Sequence, residues 1–182
     1  MDEYIAFFSL EPTQDNKGQI GAMLVTDDLG MPQEFRVTYP VKPTNLQKQL
    51  YGESLNGHIG VTLCGQPLYR ALQHKPELIL VSQRQFLSLA DEVESKVAHV
   101  KRSGETIVVG ETGDESPNQN IHSKSGRFQP VNIFFPLDLD GEEQAEITST
   151  IEKYFQGIDL LEPFDRIKSA LEALAEQDEK FR

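Results

Sequence analysis

Hydrophobic positions along the chain fall into short blocks separated by polar turns. Tyr4–Leu10 (YIAFFSL) is apolar on almost every residue, which predicts a strand covered on both faces and central in a sheet. Gln19–Thr26 and Glu34–Tyr39 predict two further strands around Asp27-Asp28-Leu29-Gly30, an Asp-rich, Gly-terminated turn of the kind that closes a hairpin. In the second of these, Phe35, Val37 and Tyr39 alternate with Glu34, Arg36 and Thr38, the mark of a strand with one solvated face. Pro40 and Pro43 end the strand. Thr44 and Gln47 then have capping-box spacing and open a helix striped by Leu46, Leu50, Leu55 and Ile59. Gly52, Gly57 and Gly60 each weaken a helix interior, so a break is expected near Asn56-Gly57, with Pro67 starting a second piece that buries Leu68, Ala71 and Leu72.

Glu77–Ser82 (ELILVS) repeats the pattern of a doubly buried strand and, like the first, is expected at the sheet centre. Arg84–Val93 reads as a helix, and Val97–Val100 and Thr106–Val109 as short strands. Gly110–Gly126 has Ile121 as its one large apolar residue and is expected to be a mobile loop. Phe128–Leu137 returns to strand character, and Pro130 and Pro136 point to a sheet edge. Asp140 and Glu143 open a helix to about Gln156, and Pro163 starts the last one. Phe164, Ile167, Leu171 and Leu174 line one face of that last helix. They read either as core or as a binding face for a partner. The organisation expected is one α/β domain over 1–182, with a mixed sheet, a loop at about 110–126 and a helical pair at about 141–177.

Charge narrows the function classes. The 182 residues carry a net charge of −12, and residues 101–182 are the more acidic part. The densest basic dipeptide is Lys101-Arg102, so no clustered footprint for phosphate backbone is visible and no direct nucleic-acid binding is expected. The acidity suits a soluble surface or docking to a basic protein. No apolar run reaches the ~18–20 residues of a membrane span. The acidic start Met1-Asp2-Glu3 lacks a signal-peptide pattern, and one cysteine rules out an internal disulfide, so a cytoplasmic location is expected.

Candidate chemistry is sparse. Cys64 lies in the apolar run Val61-Thr62-Leu63-Cys64, where a core thiol outweighs a Cys–His nucleophile based on His58 or His74. The histidines at 58, 74, 99 and 122 have no metal-ligand spacing, and Asp27 and Asp28 suit a turn better than a metal. Ser123-Lys124-Ser125-Gly126-Arg127 could hold a phosphate, with Lys124 and Arg127 as its cations, although such strings are more often plain loop. No catalytic residue, metal ligand or cofactor is assigned on this basis.

The order β-β-β-α-β over roughly residues 4–95 resembles the RNase H-like superfold, and most nearly its endonuclease V branch. That resemblance implies a nuclease with one carboxylate on the first strand and another after the strand that follows the helix, together holding Mg²⁺. This chain has YIAFFSL with Glu11 only at its exit, and Ser82-Gln83 at the second position. Glu53 on the intervening helix has no second carboxylate beside it. The segments Asp159–Ile167 and Glu34–Thr44 also resemble a group of uncharacterised bacterial proteins, which implies no activity. The expected function is therefore a non-catalytic binding or accessory subunit acting through protein contacts. The alternatives are a metal-dependent nuclease of RNase H-like fold and an acidic inhibitor or antitoxin-like partner of a basic protein.

Overall fold

The structure, a computed structural model, describes residues 3–104 and 119–182. Seven strands form one mixed sheet: β1 (Ile5–Pro12), β2 (Gln19–Thr26), β3 (Pro32–Val37), β4 (Leu78–Val81), β5 (Lys96–Arg102), β6 (Gln119–Ile121) and β7 (Val131–Phe134). Their order across the sheet is β3-β2-β1-β4-β5-β7-β6. β1, β4 and β5 run parallel at the centre, with Phe7 opposite Leu80 and Leu80 opposite Ala98. β2 and β3 add to one side as an antiparallel meander, and β7 and β6 to the other. The expected mixed α/β architecture and the central placing of the first and fourth strands both hold.

The sheet has a core on each face because its central strands are apolar at both parities. Ile5, Phe7, Leu78, Leu80 and Val100 face α4 (Gly141–Tyr154) and α5 (Glu162–Gln177). Ala6, Phe8, Ile79, Val81 and Val97 face the helical segment between β3 and β4. Asp140 caps α4 with the Glu143 N–H at 2.9 Å, while the Glu143 carboxylate accepts from the Asp140 N–H at 3.0 Å. In the β2–β3 turn the Asp27 carboxylate accepts from the N–H groups of Leu29 and Met31, so it serves the turn.

Two local expectations change. The helix that opens at Thr44 has its capping box, with Gln47 N–H donating to Thr44 Oγ1 at 3.2 Å, and runs as α1 (Asn45–Tyr51). The interruption falls at Gly52, at φ 54°, rather than at Asn56-Gly57. From there the chain stays helical through a 3-10 turn (Gly52–Ser54), α2 (Leu55–Gly57), a π-helix (His58–Gly65) and α3 (Gln66–Ala71). Gly60 belongs inside this helix because a Cβ there would stand 2.2 Å from the Phe86 ring. The glycine marks close packing on the 3-10 segment Arg84–Asp91, not a break. The second change concerns β7, which is interior, between β5 and β6. Pro130 and Pro136 lie just outside its four residues, so they do not interrupt its ladder. Of the stretch 110–126, residues 110–118 lie outside the described residues, as does the expected strand Thr106–Val109, and Gln119–Ile121 pairs with β7.

Candidate functional site

The chain leaves β1 toward β2 on one side and returns as β4 on the other, so the central parallel strands part at a topological switch point. In open α/β sheets the crevice beyond the carboxyl ends of the strands at such a point is where ligands bind. A cleft of about 620 Å³ lies there. β1 contributes Ser9 and Glu11, the turn after β4 contributes Ser82 and Gln83, and β5 contributes His99, Lys101 and Arg102. Gln19 and Asn56 form one rim, and Phe164, Asp165 and Lys168 of α5 form the opposite wall.

Strand register explains which groups meet. Phe8 pairs with Val81, and the Ser82 N–H donates to the Phe8 carbonyl at 3.0 Å, so Ser9 and Ser82 occupy the next paired positions. Each lies two residues beyond a member of the α5-side core, Phe7 and Leu80, and therefore shares that face. The Ser9 hydroxyl donates to the Glu11 carboxylate, two residues on and on the same face. The Ser82 Oγ is buried and has no hydrogen-bond partner among the described residues. On the opposite face, His99 is buried with Nδ1 2.8 Å from the Val81 carbonyl. A carbonyl only accepts, so Nδ1 carries a hydrogen. An amide relay closes the rim: Gln19 Nε2 donates to Asn56 Oδ1 at 2.9 Å, and Asn56 Nδ2 donates to Gln83 Oε1 at 3.2 Å.

Among the described residues the cleft is lined by the cations Lys101, Arg102 and Lys168 and by the carboxylates Glu11 and Asp165, a local balance less acidic than the chain's net −12. Arg102 is anchored by Asp159 at 2.6 Å. The fold resemblance implies Mg²⁺, a hard cation that takes carboxylate and other oxygen ligands. The donor set does not fit one. The two central positions facing the cleft carry hydroxyls, Glu11 is engaged by Ser9, and the described residues contain no group of three His, Cys, Asp or Glu able to hold a metal.

The residues singled out from sequence lie elsewhere, with one exception. Phe164, Ile167 and Leu171 are buried in the α5-side core, Phe164 packing edge-on against Phe7 at 5.6 Å while also reaching the cleft wall, and Leu174 is half-buried. Lys124 and Arg127 are exposed and do not line the cleft; the Arg127 guanidinium sits 5.2 Å from the Phe128 ring. Cys64 is buried, and its hydrogen-bond neighbour is the Thr38 hydroxyl at 3.7 Å. Neither candidate base joins it, since His58 stacks on Tyr51 and His74 is held by Glu34. Sequence reasoning reached Glu11 and Ser82 only as departures from a nuclease pattern, weighed His99 only for metal-ligand spacing, and missed Ser9 and Lys168. The signal for Ser9 was its polarity inside an otherwise apolar strand.

No family model matches the chain, and no curated protein matches it. The resemblance to a group of bacterial proteins therefore gains no support from sequence. Solved structures do match. Endonuclease V from Bacillus subtilis superposes at TM-score 0.62 with 12% identity, covering 96% of this chain and 83% of that one. Endonuclease V from Ciona intestinalis, in complex with a 23mer DNA containing an inosine followed by a ribo-adenosine, superposes at TM-score 0.51 with 14% identity, covering 84% and 77%. At such identity the likeness shows the fold, and the RNase H-like architecture stands. It also overturns two expectations, the non-catalytic subunit acting through protein contacts and the absence of direct nucleic-acid binding. Both matched folds are endonucleases and one is held on DNA, which turns the reading toward the nuclease alternative. Charge read along the chain found Lys101-Arg102 on β5 but not Lys168, which α5 brings to the same cleft.

Proposed function

We propose that the protein is a nuclease-like, nucleic-acid-directed protein that holds a strand in the cleft beyond the carboxyl ends of β1, β4 and β5. The observation that carries this reading is the cleft's position, at the switch point of a fold shared with endonuclease V, with cations gathered there in an acidic chain. Lys101 of β5 and Lys168 of α5 both line the cleft and would neutralise phosphates of the strand, and Arg102 is held in place by Asp159. Gln19, Asn56 and Gln83 offer amide donors and acceptors of the kind that read base edges. For hydrolysis, Glu11, whose orientation is set by Ser9, is the cleft carboxylate on β1 that would orient or deprotonate water.

The test uses a fluorescent inosine-containing oligonucleotide and its unmodified copy. Two or three phosphate contacts on a single strand give a log–log salt slope of roughly −1.4 to −2. Binding should follow that slope, and the double variant Lys101→Ala/Lys168→Ala should flatten it by about 1.4. Strand cleavage in the same samples should vanish in Glu11→Gln while binding persists. Absence of binding at low salt by the unaltered protein would overturn the proposal.

A further inference from the structure

The disagreement between the cleft's donors and the metal chemistry of its fold has a consequence for how a strand is held, and it rests on the reading just given. A site built from paired carboxylates repels phosphate until a divalent cation bridges the two. Here the residues next to the last β1–β4 pair, Ser9 in β1 and Ser82 just past the end of β4, are neutral hydroxyls. The Ser9 hydroxyl donates its hydrogen to Glu11, which leaves Ser82 as the donor without a partner among the described residues, in a cleft where Lys101 and Lys168 supply positive charge. A buried hydroxyl without a partner carries a desolvation cost, and turning about χ1 to donate to an anionic oxygen in the cleft would relieve it. We infer that the cleft is a direct phosphate site: a backbone phosphate of the strand accepts from the Ser82 hydroxyl, with Lys101 and Lys168 balancing its charge and no divalent ion between protein and strand.

Response to metal distinguishes a direct phosphate site from strand binding in general. Fluorescence anisotropy of the same oligonucleotide is measured in EDTA and in Mg²⁺ or Mn²⁺, on the full chain. The unaltered protein should bind equally in EDTA and in low-millimolar metal, apart from the ionic-strength effect that matched monovalent salt reproduces. Ser82→Ala should weaken binding in EDTA by roughly ten- to a hundredfold, the worth of one hydrogen bond to a charged acceptor. Ser9→Asp/Ser82→Asp should invert the behaviour, with binding in EDTA falling at least tenfold and returning when Mn²⁺ is added. Circular dichroism shows whether each variant is folded, and Ser82→Ala, which only removes one oxygen, keeps the test decisive if the double variant is not. Binding by the unaltered protein only with divalent metal would overturn this inference and leave the strand-binding reading standing. Equal affinity of Ser82→Ala and the unaltered protein in EDTA would also overturn it. No binding in either buffer would overturn both.

Discussion

The carboxylate of Glu34 gathers donors from Arg36, Gln73 and His74, and replacing it tests how the outer strand β3 is held. Its Oε1 accepts from Arg36 Nε at 2.6 Å, and its Oε2 accepts from the backbone N–H groups of Gln73 and His74 at 2.9 and 3.0 Å, with His74 Nδ1 at 3.2 Å. The side chain is only 8% exposed. Burial by itself would raise its pKa, but the donors from His74, Arg36 and Gln73 outweigh burial and hold the carboxyl at about 2, from an ordinary 4.5. A carboxylate whose pKa is depressed on folding stabilises the protein above the unfolded-state value and loses that contribution as pH falls toward the folded value. The shift corresponds to about 3 kcal/mol at neutral pH, of which about 2 kcal/mol has gone by pH 3. Glu34→Gln should therefore cost about 2–3 kcal/mol in urea unfolding at pH 7 and roughly 1 kcal/mol at pH 3. A difference that is the same at both pH values would refute the electrostatic account, because loss of packing alone does not titrate.

Two further outcomes follow from the core. Leu171→Ala, on the face that α5 turns to the sheet, should lower stability by about 2–5 kcal/mol in thermal denaturation, and a loss below about 0.5 kcal/mol would show that this face is not core. Burial pushes the Cys64 thiol up, against weaker hydrogen bonds from Thr38 and Gly21, so alkylation at pH 7.5 should be slow in the native protein and fast in urea. Comparable rates in both states would refute its burial.

Much of the fold was legible in the sequence, because strand centrality and helix starts are local signals. Tyr4–Leu10 and Glu77–Ser82 are apolar at both parities, a pattern that only a strand covered on both faces satisfies, and they became neighbouring central strands. Thr44 with Gln47 and Asp140 with Glu143 could be placed because a cap satisfies backbone donors within one turn of chain. The π-helix was not legible, since Gly57 and Gly60 look like breakers until Phe86, distant in sequence, presses on the second of them. The interior place of β7 was hidden for a similar reason, because whether a strand is an edge depends on β6 pairing with it. The cleft is the extreme case. Ser9, Ser82, Lys101 and Lys168 are unremarkable apart, and no spacing links them. Parallel register sets the two hydroxyls side by side, and the docking of α5 brings Lys168 across from β5. Composition alone could give this acidic chain its total charge, but only the tertiary structure decided where its few cations gather, since electrostatic potential depends on distances in space rather than along the chain.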